Sequence, residues 1–288
     1  MENTSFIYHR IADVPPLHRP ILIEGLPGVG NVGKLAAEHL IDNIKAVPFA
    51  KIYSKHFPPQ VLVEEDGVIR LVGNTLYYYR RPGTGDEDAG NTGSEGGVTD
   101  GGGERCFYPW SSADLIFLVG DYQGVSPEGQ YELTYRVLSV AKEMGVEMIF
   151  TLGGYGLGRL IETPRVLGAA TCPPLVEEMK KYGVVFEKDE PGSGIVGASG
   201  LLLGLGKLFN MEGVCLMGET SGYFIDPKSA KEVLRILSSI LGVSVDFSAL
   251  EDRAQEIDLI TSKLKELEES GTEGAKEPSA DDVLRYIG

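Results

Sequence analysis

From Pro20 onward the chain alternates short apolar runs with amphipathic segments, and this alternation constrains its fold more than any other feature. The run ILIEG (21–25) predicts a strand. Residues 31–44 place apolar side chains at helical spacing, with Asn31 available as an N-cap. A glycine-rich turn joins the two. Repeated strand and helix patterns of this kind predict an α/β protein with a parallel or mixed sheet covered by helices.

Further strands and helices are predicted along the rest of the chain. The predicted strands are VPFAKIYS (47–54), VLVEE (61–65), VIRLVG (68–73), TLYYYRR (75–81), DLIFLVG (114–120), VEMIFTLGG (146–154), RVLGAAT (165–171), VVFEK (184–188) and GVCLMGE (213–219). The pair Asp66-Gly67 predicts a hairpin between the second and third of these. Helices are predicted from Pro127 to about Met144, with Ser126 as N-cap, and over 173–183, 197–209 and 226–242.

The composition predicts one domain with two appendages. A chain of 288 residues that is 42% hydrophobic can bury one large core, expected over residues 1–246. Residues 82–105 are nearly all Gly, Thr, Ser, Asp and Glu, which predicts a disordered loop within that domain. Residues 247–270 predict an amphipathic helix with coiled-coil-like spacing, for which packing on the core and an oligomer contact are both open. Residues 271–288 predict a flexible tail.

Charge and cysteine usage limit the partners and the compartment. The formal net charge of −16 repels nucleic-acid phosphates and anionic lipid, so neither nucleic acid nor a membrane is expected as a partner. Cys106, Cys172 and Cys215 are odd in number and widely spaced, which indicates neither a disulfide framework nor a metal or redox motif. No apolar run is long enough for a membrane span, and the N-terminus lacks signal-peptide features. We expect a cytoplasmic protein.

The turn GLPGVGNVGK (25–34) fits two nucleotide-binding patterns and completes neither. Gly28, Gly30 and Gly33 give the spacing of a dinucleotide fingerprint, but the second strand offers no acidic residue for a ribose. Gly28, Gly33 and Lys34 give the spacing of a phosphate loop, but Leu35 stands where a hydroxyl would hold magnesium. We therefore interpret it as a close-packed strand-to-helix turn, with nucleotide binding as the alternative.

Other chemical motifs are incomplete. Ser199 lacks the closing glycine of a nucleophile elbow, Cys172 has no evident base, and the four histidines show no metal-ligand spacing. The sequence thus predicts no catalytic residue, no metal and no cofactor. Polar or small residues lie at or just after the ends of several predicted strands, where ligands of parallel sheets usually bind. They are Asp121, Gly153, Gly154 and Glu219. Loop capping is the expected role for most of them, and a small ligand, if one binds, should bind there.

Six sequence blocks resemble the proteasome assembly chaperone family of the second type. They are EGLPGVGNVGKLAAEHLI, PPQVLVEEDGVIRL, LVGDYQ followed by YELTYRVL, TLGG, GIVGASGLLLGL and CLMGETSGYFIDPKSAKEVLRILSSILG, in order from about residue 5 to 265. The resemblance implies a three-layer α/β/α fold with a mostly parallel mixed sheet, similar to the phosphorylase/hydrolase-like fold. It also implies a non-catalytic scaffold that forms homo-oligomers and binds proteasome α subunits, the 20S particle or a paralogous chaperone. Some relatives are labelled ATP-grasp ligases, which gives an enzyme as the alternative.

The C-terminal tail departs from the family pattern. Relatives that dock on the proteasome end in a hydrophobic residue, a penultimate tyrosine and any final residue. This chain instead places tyrosine third from the end, in a terminal peptide formed by Leu284, Arg285, Tyr286, Ile287 and Gly288. A tethered peptide on each subunit of a ring would bind a ring-shaped partner multivalently. Two roles of this tail remain open: it docks on a partner, or it folds back onto its own subunit.

Overall fold

The computed structural model describes residues 6–83, 110–187 and 194–270, and beyond residue 259 the final helix is described by its backbone alone. The strands are β1 (Phe6–Arg10), β2 (Ile21–Gly25), β3 (Val47–Ser54), β4 (Val61–Val63), β5 (Ile69–Leu71), β6 (Asn74–Tyr79), β7 (Leu115–Gly120), β8 (Met148–Gly156), β9 (Val166–Ala170) and β10 (Glu212–Thr220). The α-helices are α1 (Val32–Ile44), α2 (Pro127–Glu143), α3 (Pro173–Lys180), α4 (Ala198–Gly206), α5 (Pro227–Leu241) and α6 (Ser248–Ser270).

Eight strands form one mixed sheet in the order β1-β3-β6-β7-β2-β8-β10-β9. Strands β7, β2, β8 and β10 are mutually parallel and form its centre. Strand β6 is antiparallel to β7 and β3 is antiparallel to β6, so β3 runs in the direction of the central four. The two edge strands, β1 and β9, are antiparallel to their neighbours. The predicted mostly parallel mixed sheet is confirmed.

Helices cover both faces of the sheet and enclose two apolar clusters. Buried side chains of α1, α3, α5 and α6 form one cluster with one face of the sheet. Buried side chains of α2 and α4 form the other cluster with the opposite face. Central strands such as β7 are buried on both faces, which explains their continuous apolar sequence. The three-layer α/β/α architecture expected from the resemblance is thereby confirmed.

Side-chain capping begins α2 as the sequence predicts, but it does not begin α1. Ser126 Oγ accepts a hydrogen bond from Gly129 N at 3.1 Å at the start of α2, directly before Pro127. At the start of α1, however, Asn31 adopts a left-handed conformation and its side chain caps no backbone N–H. The prediction that Asn31 caps α1 is wrong. Asn31 has a positive φ, and the hydrogen bonds of this turn are made by backbone groups instead of by the Asn31 side chain.

Predictions from sequence fail near both edges of the main sheet. Of the segment predicted as a strand over 184–188, the described residues 184–187 form isolated bridges rather than a continuous strand, and Val185 bridges Leu167 on the free side of β9, opposite β10. Strand β1 was not predicted, since its five residues have no clear alternation of buried and exposed side chains. The predicted hairpin is confirmed as β4 and β5, which form a separate two-stranded sheet.

The first half of α6 packs on the core. Leu250 is buried in the same cluster as α5, and Lys231 and Lys228 of α5 pair with Glu251 and Asp258 of α6, each at 2.7 Å. Within the described ranges, no helix has both the length and the apolar composition needed to cross a membrane. The predictions for residues 84–105 and 271–288 lie outside the described residues, so the expected domain organisation stays a prediction there.

Helix α1 can pack its backbone directly against the sheet because Gly33 has no side chain. A Cβ added to Gly33 would lie 2.0 Å from Leu152 O of β8, and one added to Gly25 would lie 2.5 Å from Gly33 O. Neither backbone segment can move away without displacing a central strand. These two glycines of the turn are therefore required by packing alone.

Gly33→Ala tests this close approach. We expect the substitution to lower the free energy of unfolding by about 3 kcal/mol or more, because the added methyl group collides with backbone rather than with a flexible side chain. Gly204→Ala in α4 is the matched control, since a Cβ there meets nothing within 4 Å, and it should be neutral or stabilising by up to about 1 kcal/mol. Urea unfolding of both variants measures the difference, and equal stabilities would contradict the packing argument.

Candidate functional site at the carboxyl edge of the sheet

The carboxyl ends of the parallel strands bring the predicted site residues to one edge of the sheet. Strands β2, β7, β8 and β10 end at Gly25, Gly120, Gly156 and Thr220. The turn 25–34 leaves this edge from β2, Asp121 follows β7, and Gly153 and Gly154 lie near the end of β8 beside Met217 and Gly218 of β10. We call this region the carboxyl edge.

The glycine turn is packed against the ends of β8 and β10. A Cβ on Gly154 would lie 2.2 Å from Val29 O, and one on Gly30 would lie 2.9 Å from Thr220 Oγ1. Gly30 also has φ of 61°, and its carbonyl accepts from Asp226 N at 2.9 Å. Gly28, in contrast, is open, with the amide nitrogen of Gln123 as its nearest neighbour at 3.9 Å. The packing supports the interpretation of a structural turn.

Lys34 lies on the first turn of α1 and points along the helix. Its Nζ pairs with Glu38 at 3.7 Å, and its side chain is 27% exposed. The pKa of Glu38 is raised, chiefly by burial, which the charge of Lys34 partly offsets. A Cβ on Gly153 would make only an ordinary van der Waals contact, with Met217 Cγ at 3.9 Å. Gly28, Lys34 and Gly153 are thus the parts of the predicted site that packing does not explain.

Asp121 is held by Arg70 of the β4–β5 hairpin and by Gly73, which lies between β5 and β6. Arg70 donates two hydrogen bonds to it, from Nη1 to Oδ2 at 2.6 Å and from Nη2 to Oδ1 at 2.9 Å, and Gly73 N donates to Oδ2 at 3.0 Å. Burial acts to raise the pKa of Asp121, but these hydrogen bonds outweigh it and hold the pKa below its usual value. Its carboxylate is occupied by structural partners, which fits a role in positioning the hairpin.

Glu219 is occupied in the same way by Arg165. The guanidinium Nε donates to Oε1 at 2.9 Å and the backbone N of Arg165 donates to Oε2 at 3.0 Å. The hydrogen bonds from Arg165 are the main reason that the pKa of Glu219 is lowered. Arg165 also pairs with Glu187 at 3.1 Å. At this edge the charges of Asp121 and Glu219 are thus neutralised within the chain.

Glu24 is the polar residue that sequence reasoning missed. It is completely buried in β2, where Oε1 accepts from Leu26 N and Oε2 accepts from Ser199 Oγ, both at 2.9 Å. Burial raises the pKa of Glu24 to about 7, although both hydrogen bonds act to lower it. The sequence did contain an indication of this buried acid, because Glu24 is a single acid in an otherwise apolar predicted strand. Ser199 is therefore a partner of Glu24 at the start of α4.

Gln123 connects the same region through its amide. Its Oε1 accepts from Ala198 N at 2.9 Å and its Nε2 donates to Pro27 O at 2.7 Å. It thereby ties the first turn of α4 to the glycine turn. Together with the bond from Ser199 to Glu24, this amide fixes α4 against the end of β2.

The space beside this network is too small for a nucleotide. The cavity lined by Leu26, Leu118, Gln123, Leu133 and Ala198, among others, has a volume of about 20 Å³. That volume holds about one water molecule, whereas small-molecule sites usually enclose roughly 300 Å³ or more. Among the described residues, no three metal-ligating side chains lie close enough together to hold an ion.

Comparison with known proteins gives the family. The model of the PAC2 family matches residues 22–265, which is most of the chain. The chain belongs to the PAC2 family. An uncharacterised protein of Methanocaldococcus jannaschii is 36% identical over 289 residues, covering all of both chains.

Two solved structures of Pyrococcus furiosus proteins resemble this PAC2-family chain. PbaB, described as an archaeal proteasome activator, is 39% identical, with a TM-score of 0.77 over 91% of this chain and 99% of PbaB. PbaA, described as an archaeal homologue of proteasome-assembly chaperone, is 23% identical, with a TM-score of 0.67 over 93% of this chain and 95% of PbaA. The likeness to PbaA shows a shared fold.

The carboxyl edge of this PAC2-family chain exposes apolar side chains beside its paired charges. Val29 of the glycine turn is 46% exposed and Val125 after β7 is 67% exposed. Tyr223 after β10 is 68% exposed, and its hydroxyl donates to Gly158 O at 3.2 Å. An edge with internally paired charges and exposed apolar groups is better suited to contact another protein than to bind a small polar ligand.

Glu24→Gln tests the buried carboxyl. Because the folded-state pKa of about 7 exceeds the ordinary value of 4.5, the folded chain holds a proton that the unfolded chain releases. The wild type should therefore lose up to about 3 kcal/mol of stability relative to the variant as the pH rises from 4.5 to 7, with little change above that. Chemical unfolding across this pH range measures it. Parallel pH profiles for the two proteins would show that Glu24 ionises normally.

Proposed function

We propose that this chain is a non-catalytic scaffold, similar to a proteasome assembly chaperone, that homo-oligomerises and binds proteasome α subunits, the 20S particle or a paralogous chaperone in the cytoplasm. The observation that carries the proposal is the 39% identity to PbaB, a proteasome activator, over nearly the whole of both chains. Identity at this level over a full domain goes beyond a shared fold, which alone would not indicate function.

The geometry of the carboxyl edge supports a binding role without turnover. Its acids, Asp121 and Glu219, accept hydrogen bonds from Arg70 and Arg165, and its glycine turn packs against β8 and β10. The volume of its cavity is far smaller than that of a small-molecule substrate. A catalytic carboxylate needs access to a reacting group, and these carboxylates are already hydrogen-bonded to the chain. The same edge presents apolar side chains that another protein can cover.

The C-terminal tail is the second part of this proposal. The peptide that contains Leu284, Tyr286, Ile287 and Gly288 lies outside the described residues and combines apolar and aromatic side chains. We propose that it contributes to partner binding. Several tails on one oligomer would bind a ring-shaped partner more tightly than a single tail, because the later contacts become intramolecular.

A pull-down with 20S particles and with free α subunits tests the function. We expect the full chain to bind at least one of them, and a chain ending at Ala280 to bind about tenfold or more weakly, because the tail contacts are lost. If the shortened chain bound as tightly as the full chain, the tail would have no part in binding, but the proposed function would stand. Absence of binding in both forms would leave the function without support.

A nucleotide-binding protein is the second candidate, favoured only by Lys34 and by the two glycines, Gly28 and Gly153, at which a Cβ would meet no close contact. Calorimetry with ATP, ADP and nucleosides separates the two functions. We expect no heat of binding from the wild type, since the cavity at this edge is small and the turn is packed. Binding that is abolished by Lys34→Ala and retained in Lys45→Ala, at the other end of α1, would support the nucleotide-binding candidate instead.

A further inference from the structure

The β4–β5 hairpin has two faces of opposite character, which its strand register defines. Val61 pairs with Leu71 and Val63 pairs with Ile69, so these four side chains lie on one face. Leu62 and Arg70, which pair with each other, lie on the opposite face. We call the first of these the outer hairpin face.

The inner side of the hairpin is attached to the core at several points. Leu62 packs against the buried cluster beneath it, and Arg70 makes the two hydrogen bonds to Asp121 described above. At the base of the hairpin, the amide of Gln60 donates to Tyr122 Oη at 2.5 Å. These attachments fix which face points outward. The hairpin is thus presented in one orientation before any partner arrives, which reduces the entropy lost on binding.

The outer hairpin face is apolar and exposed, which inverts the usual pattern of a surface hairpin. Antiparallel sheets with one solvated face normally place polar residues on it. Here the four aliphatic residues Val61, Val63, Ile69 and Leu71 are 44%, 69%, 64% and 60% exposed. Together they leave roughly 400 Å² of surface in water, comparable to the largest apolar patches on monomers, which are often functional.

We propose that the outer hairpin face is a self-association surface, occupied by the same face of a second copy of this chain. This identifies a surface for the self-association included in the proposed function, on which it rests. A two-fold contact buries both patches at once, and two-fold dimers are the commonest oligomers. A standard interface buries ~800 Å² on each side, and the patch of roughly 400 Å² per subunit is about half of that. It is therefore large enough to form the apolar centre of an interface, and the polar residues around it would form the rim.

The charge at the tip of the hairpin determines how the two copies are arranged. Glu64, Glu65 and Asp66 form an exposed acidic turn at one end of the outer hairpin face, and Arg70 pairs with Glu64 alone among them. If the two hairpins stack with their strands antiparallel, the two acidic turns lie at opposite ends and do not repel each other. The parallel stacking would place all six acids together. The antiparallel two-fold arrangement is therefore the one that we propose.

Sedimentation of Val63→Lys and Ile69→Lys tests the proposal on the full-length protein. Each variant places two ammonium groups in an apolar contact across the two-fold axis, so we expect its association to weaken by about 100-fold or more relative to wild type. Leu208→Lys is the matched control, since Leu208 is 77% exposed and follows α4 at the opposite end of that helix from the carboxyl edge. It should associate as the wild type does, and thermal unfolding checks that all variants fold.

Two results would overturn the proposal. One is a wild-type chain that is monomeric at every concentration reached. The other is an oligomeric mass that is the same in Ile69→Lys and Leu208→Lys, which would place the contact elsewhere. If Ile69→Lys keeps its mass and instead loses binding to 20S particles, the face binds a different protein and self-association through it is excluded. Binding to 20S particles is measured separately, so its absence in the wild type would count against the proposed function and leave this test unaffected.

Discussion

The close contact between the first helix and the central sheet determines how the rest of the molecule is arranged. Because Gly33 allows α1 to lie directly on the backbone of β8, the turn before it reaches the ends of β8 and β10. Val29 O then occupies the space above Gly154, and Gly30 lies against Thr220. At Gly30, Gly33 and Gly154, the backbone that a phosphate-binding loop would turn toward a ligand is therefore packed against the protein itself. The glycines resemble a nucleotide motif because both uses require backbone without side chains.

The charges at the carboxyl edge follow from the same arrangement. The ends of β7 and β10 place Asp121 and Glu219 at this edge, and Arg70 of the hairpin reaches the first while Arg165, just before β9, reaches the second. Buried or half-buried carboxylates without a partner would be costly, so each ion pair also fixes the loop that supplies the arginine. The edge gains a defined shape in this way. This defined shape places the exposed side chains of Val29, Val125 and Tyr223 beside charges that are already paired.

Much of the fold could be predicted from the sequence, because the central strands and helices carry strong periodic patterns. Strand β7 is a continuous apolar run, and α2 begins at a serine followed by proline. The failures lie where tertiary contacts decide the outcome. Residues 184–188 have strand-like composition, but the described residues 184–187 form only isolated bridges, among them that of Val185 to Leu167 on the free side of β9. The candidate site was less predictable, because spacing alone did not show that Asp121 and Glu219 have arginine partners or that Glu24 is buried beside Ser199.

The buried carboxyl of Glu24 also changes the proton balance of the folded chain. The formal charge of −16 counts this group as ionised, but with a pKa of about 7 it carries about half a proton at neutral pH. Unfolding at pH 7 therefore releases about half a proton into the buffer from this one site. The heat of unfolding then includes the ionisation enthalpy of the buffer, so calorimetric enthalpies measured in phosphate and in Tris differ for a reason that lies within a single β-strand.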